Sequence, residues 1–197
     1  AGMAARGWPR SEIRAIIDAG LSTGDITAER EAARRSLISV LPESGRNLLY
    51  RLSMAIGSFN RAAALNIAAA PPPIAQPGEA LDALIGPWVE TTGRDSYRIS
   101  PLAGQSGKDM LLSEEQQAIH RAIASQLTSG SSIDASDVDK IILHAMLGKN
   151  EPVLASLTYK LMTADNQVIS FLAENLALLR VFEAEKPIYP DNIYIST

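Results

Sequence analysis

His120 and His144 are the only histidines in the chain, and there is no cysteine. Acid–base work near neutral pH and metal ligation by nitrogen therefore rest on these two residues. Disulfides, thiolate metal sites and thiol nucleophiles are excluded. No carboxylate stands at i,i+4 to either histidine, the spacing a helical metal site would use. Both are expected to be helix-surface or groove histidines without a catalytic or metal role. Asp134, Asp137 and Asp139 look like an acidic cation loop, but the Gly and terminal Glu of a calcium loop are missing. Carboxylates favoured at a helix start by the dipole account for them. Gly104 to Lys108 (GQSGK) is too short for a phosphate loop and is not followed by Ser or Thr. No catalytic residue and no metal ligand is expected.

The elements around these residues read as mostly helical. Ser11 to Ala19 is a short helix with Ile13, Ile16 and Ile17 on one stripe, stopped by Gly20. Thr27 caps a helix to Val40 with a narrow apolar face, Ala33, Leu37 and Leu41. Its solvated side carries i,i+4 pairs such as Glu31–Arg35. Ser44 caps a helix whose Leu48, Leu49, Leu52, Ala55 and Ile56 share one face, closed by Gly57. Asn60 caps a small helix to Ala70, and Pro71-Pro72-Pro73 forces an extended connector. Gly78 to Ile85 is a third helix with Leu81, Leu84 and Ile85 inward. Trp88 to Thr92 and Ser96 to Ser100 are two strands joined by Gly93-Arg94-Asp95.

Ala103 to Met110 reads as a Gly-rich linker. Beyond it four helices are expected. Ser113 caps the first, with Ser-Glu-Glu-Gln as a capping box. Val138, Ile141, Ile142, Ala145 and Met146 mark the second. Pro152 sits in the first turn of the third, which carries Val153, Leu154, Leu157 and Leu161. The fourth, Val168 to Phe182, is apolar on more than one face. Their starts recur near the ~34-residue period of helix-hairpin repeats. Three occupants suit the apolar fourth helix: the tail PIYPDNIYIST, further repeats, or a second chain in a homodimer.

The 197 residues are enough for one large or two small domains. The first 103 residues hold eleven Arg, no Lys and ten Asp and Glu; the rest hold seven Lys and Arg against twelve Asp and Glu. That shift in character argues for two modules. The net charge of −4 speaks against a nucleic-acid protein overall. No apolar run approaches the roughly 18 residues that span a bilayer, so no membrane partner is expected. The start, AGMAARGWPRSE, has neither an initiator Met nor the apolar core of a signal peptide, which suits a cytoplasmic piece of something longer.

Helices followed by a β-ribbon suggest a winged-helix module, whose helix before the ribbon would enter a DNA groove. Here that helix carries Glu79 and Asp82, with no Lys, Arg, Asn or Gln between Gly78 and Trp88. Carboxylates facing phosphate are repelled, and the usual base-edge donors are missing. The Arg residues at 30, 34, 35, 46, 51 and 61, with Arg94 and Arg98 on the wing, keep a DNA-binding regulator as the alternative.

Two runs, LPESGRNLLYRLSMAIGSFNRAAALNIA and LDALIGPWVETTGRDSYRISPLA, resemble the winged-helix segment of STAND-class signal-transduction ATPases, the NB-ARC/AP-ATPase group. The opening GMAARGWPRSEIRAII is similar to the helical segment after that family's GxP motif. The resemblance covers about residues 1 to 130; the remainder is similar only as TPR-type helical repeat. It implies a mainly α protein: residues 1–42 linking to an absent nucleotide-binding domain, a winged-helix-like domain with a short β-ribbon over 43–103, and antiparallel TPR-like helical hairpins over 111–197. It also implies a non-catalytic, protein-binding region that moves when ADP is exchanged for ATP in the parent. Its partners would be the nucleotide-binding domain and a signalling protein. Many members carry a nucleotide-touching His just after the second strand; here Ser100 stands there, able to donate one hydrogen bond to a phosphate. Partner contacts are expected from Arg94, Arg98, Val168, Phe171 and Phe182.

Overall fold

The computed structural model describes residues 26–104, 106–130, 133–134, 137–167 and 169–170. The expected helix at Ser11 to Ala19, the helix Val168 to Phe182 apart from residues 169–170, and the tail lie outside the described residues. Among the described residues the protein is mainly helical with one small three-stranded antiparallel sheet, and the chain divides into two compact units, Ala1–Leu111 and Leu112–Thr197.

In the first unit, α1 spans Ile26–Ser39 and buries Ala33, Leu37 and Ile38. Glu31 pairs with Arg34, not with Arg35; Arg34 also lies against Gly104, while Arg35 is exposed. Helix α2, Glu43–Leu52, begins one residue before the expected cap Ser44, with Pro42 at the N-cap and its carbonyl accepting from the Arg46 N–H at 2.9 Å. Leu48, Leu49 and Leu52 are fully buried, which makes α2 the centre of this core. The helix stops at Leu52, four residues short of Ile56. Met54 and Ala55 turn back onto the carbonyls of Arg51 and Leu52, and Gly57 takes φ 81°. Ile56 is thereby exposed rather than inward.

That early stop makes room for a strand the periodicity does not reveal, β1 (Ser58–Phe59). Two residues are too few to show an alternation. Helix α3, Arg61–Ala69, starts where Asn60 Oδ1 accepts from the Ala63 N–H at 2.8 Å, the cap the sequence indicates. Helix α4, Pro77–Leu84, buries Ala80, Leu81 and Leu84, with Pro77 at the position where a missing N–H costs nothing. Strands β2 (Val89–Gly93) and β3 (Ser96–Ile99) form a hairpin with Arg94 and Asp95 at its tip. Val89 pairs with Ile99, Glu90 with Arg98 and Thr91 with Tyr97, and the register slips by one between Thr91 and Gly93. β1 adds to the other side of β3, with Ser58 opposite Arg98 and Phe59 opposite Tyr97, so the order is β1-β3-β2.

Ala103 to Met110 is not a free linker. A 3₁₀ turn, Pro101–Ala103, leads into α5, Ser106–Met110, which packs on α2. The Gly107 N–H donates to Ser53 Oγ at 2.9 Å, and a β-carbon at Gly107 would meet the Tyr50 carbonyl oxygen at 2.0 Å. The glycine that reads as flexibility is there to let two backbones touch.

The second unit holds α6 (Ser113–Leu127), α7 (Val138–Leu147) and α8 (Glu151–Met162). Leu112, not Ser113, occupies the N-cap of α6, and Glu115 Oε2 reaches back to the Leu112 N–H at 3.1 Å. Leu127 packs beside Val138 and Ile141 while His120 meets His144, so α6 and α7 run antiparallel. The core is built from Ile119, Ile123 and Ala124 of α6, Val138, Ile141 and Ala145 of α7, and Leu154 and Leu157 of α8. α8 starts at Asn150, whose Oδ1 accepts from the Val153 N–H, and Pro152 falls in its first turn as its type requires.

Candidate functional site

In the first unit the residues expected to face a partner lie on α4 and the hairpin. Glu79 and Asp82 are both exposed on α4. Asp82 is not free: Arg61 of α3 grips it with both guanidinium nitrogens, Nη1 to Oδ1 at 2.5 Å and Nη2 to Oδ2 at 3.1 Å. The fork holds the Asp82 carboxyl below its usual range and the Arg61 guanidinium above its own. One cation counted toward a nucleic-acid face is therefore neutralised. Arg98 is likewise engaged, 3.0 Å from Glu90 across the hairpin. Arg94 stands exposed at the hairpin tip. Arg51, another of those cations, is inside the protein at 3% exposure, bound to backbone carbonyls at Ala68, Ala70 and Pro72.

Ser100 is fully buried. Its N–H donates to the Trp88 carbonyl at 2.8 Å, and its hydroxyl accepts from the Leu102 N–H at the start of the 3₁₀ turn. The structure gives it a capping role; it offers no surface to a ligand. Trp88 is buried at the junction of α4 and β2, where its own N–H closes onto the Leu84 carbonyl. Of the remaining expected contact residues, Val168, Phe171 and Phe182 lie outside the described residues.

In the second unit the two histidines are neither on the surface nor apart. His144 is 1% exposed, and its Nδ1 lies 2.8 Å from Nδ1 of half-buried His120. Burial pushes His120 down to about 4. Burial, then His120, then Lys140 push His144 down to about 3. Both rings are neutral at pH 7. The spacing between them, i to i+24, carries no periodic signal, so only the antiparallel packing of α6 on α7 reveals the pair. A tetrahedral zinc held by both nitrogens at bond lengths of about 2 Å would set them about 3.3 Å apart. The observed gap is a hydrogen bond. Among the described residues no group of three or more His, Cys, Asp or Glu is placed to hold a metal ion.

Next to this pair, Asn150 Nδ2 donates to the Arg121 carbonyl at 3.3 Å and to Ser125 Oγ at 3.0 Å, and Arg121 Nε donates to the Gly148 carbonyl at 3.2 Å. These polar contacts lock α6 to the turn between α7 and α8.

No family model, no curated protein and no solved structure matches the chain. No helix among the described residues is long and apolar enough to cross a membrane.

Proposed function

We propose that this chain is a non-catalytic, protein-binding region of a STAND-type signalling ATPase, acting in the cytoplasm. In this reading residues 43–103 are a winged-helix module and the helices after Leu111 are TPR-like hairpins. The winged helix docks on a nucleotide-binding domain elsewhere in the parent and shifts when ADP gives way to ATP, and the hairpins engage a partner protein.

The observation that carries the reading is the chain order of the first unit. A helix, a short strand, two helices and a β-hairpin succeed one another, and β1 joins the hairpin on the β3 side. That succession is the one expected of a winged helix, and it supports the reading. The choice of protein over DNA rests on α4. Its exposed polar side chains are carboxylates, and Arg61, the cation that reaches it, is already committed to Asp82. With no phosphate loop in the chain and Ser100 buried, nucleotide recognition is assigned to the parent and not to these residues.

Titrating ADP and ATP into the chain by calorimetry is expected to give no heat of binding; micromolar affinity overturns the reading. A gel shift with random duplex DNA at low salt is expected to be negative, and tight, salt-sensitive binding would promote the transcriptional-regulator alternative. The parent reading frame is expected to carry a phosphate loop upstream of Ala1. A frame without one removes the ATPase from the proposal.

A further inference from the structure

We propose that His120 and His144 form a one-proton latch between α6 and α7, so that acidification opens this helix pair. The geometry sets the proton count. Two imidazole nitrogens 2.8 Å apart must share one proton, because none leaves two lone pairs in contact and two leaves two N–H groups in contact. One ring is therefore the Nδ1–H tautomer and the other the Nε2–H tautomer. A third proton can enter only at an Nε2 and places a charge at the α6–α7 packing, whose buried residues include Ile123, Ile141 and Ala145. A fourth destroys the hydrogen bond.

The surroundings do not relieve that charge. On α7, Lys140 lies one turn before His144, bound to Asp137 at 2.6 Å; Asp139 adjoins it in sequence. On α6, Arg121 is next to His120 in the chain and is turned onto the Gly148 carbonyl, while Glu115 is committed to the Leu112 N–H and Glu114 is exposed in the first turn. On α8, the other helix packed on α7, Glu151, Tyr159 and Lys160 are all exposed. Among the described residues no carboxylate accepts a hydrogen bond from either ring.

Linkage fixes the sign. Both closed-state values lie below the ordinary 6.5, at about 4 and about 3, so the open form binds protons that the closed form refuses. The stabilisation is present above pH 6.5 and is lost as pH falls from there, toward 4 for His120 and toward 3 for His144. With two such sites the opening equilibrium rises about 100-fold between pH 7.5 and pH 5.5.

Amide hydrogen exchange of the whole chain tests this. Protection of Ile123, Ala124, Ile141 and Ala145 is expected to fall about 100-fold from pH 7.5 to pH 5.5, after correction for intrinsic rates. In the double variant His120→Leu, His144→Leu the drop is expected to vanish. An unchanged drop in the variant, or none in the unaltered chain, overturns the latch. Should the variant fail to fold, imidazole ¹⁵N spectra of the unaltered chain at pH 7.5 decide. One Nδ1–H and one Nε2–H tautomer support the latch, and two Nε2–H tautomers overturn it.

Discussion

Gly148 lies directly against the backbone of Arg121: a β-carbon at position 148 would sit 2.5 Å from the Arg121 nitrogen and 2.8 Å from its Cα. Its φ of −80° is one any residue adopts, so the demand for glycine comes from space and not from backbone conformation. This contact sets how closely α6 approaches the end of α7, and with it the distance at which His120 and His144 meet.

Gly148→Ala is expected to destabilise the second unit by about 1–3 kcal/mol, the usual cost of overpacking a closed contact. An alanine normally gains ~0.4–1 kcal/mol by stiffening the unfolded chain, and the clash exceeds that gain. Urea unfolding monitored by circular dichroism measures it. An equal or higher midpoint would mean the helices separate at no cost.

Asn150 separates two roles. Its oxygen caps α8, and its amide donates to the Arg121 carbonyl and to Ser125. Asn150→Asp keeps the capping oxygen but turns a carboxylate toward a carbonyl. The two cross-helix bonds outweigh the single cap at 3.4 Å, so Asp is expected to be worse than Ala, with Asn150→Ala costing about 1–2 kcal/mol. The ranking of the two variants by thermal unfolding checks this.

Arg51 is a buried cation of the first unit. Its guanidinium binds the Ala68, Ala70 and Pro72 carbonyls at 3.2, 2.6 and 2.5 Å, closing the end of α3. Arg51→Met takes the donor from the Ala70 and Pro72 carbonyls, while the Ala68 carbonyl keeps the Ile74 N–H at 3.0 Å, and is expected to cost about 3 kcal/mol. Arg51→Lys, with a single point of attachment, is expected to recover less than half of that. Denaturant midpoints of the two variants provide the comparison.

Ser100 distinguishes a cap from a nucleotide contact. Ser100→Ala removes only the acceptor for the Leu102 N–H and is expected to cost about 1 kcal/mol. In a longer protein containing the nucleotide-binding domain, ADP affinity is expected to be unchanged, as titration calorimetry would read. A tenfold loss of affinity would return Ser100 to the nucleotide.

Local features are legible in the sequence because their physics is local. The Asn60 cap, Pro152 in a first turn, the apolar faces of α2, α6 and α7, and the hairpin around Gly93-Arg94-Asp95 each depend on neighbours within a few residues. The differences between sequence and structure share the opposite cause. Periodicity carries α2 on to Ile56, yet the chain turns early and gives Ser58 and Phe59 to β3, a partner some 40 residues on. Gly107 reads as a linker glycine until α2 is brought against it. Glu31 takes Arg34 rather than Arg35, two choices that helix geometry alone allows about equally.

The sequence by itself determined the mainly helical character, the two-part charge distribution, the absence of thiol chemistry and the acidic face of α4. Each of these is a property of residue types and short spacings. The tertiary structure alone decided where the buried polar groups go. Ser100 became a cap, Arg51 a clamp, and two histidines 24 positions apart one hydrogen-bonded pair. Such pairings depend on which helices pack together and how closely, and chain distance carries no record of that.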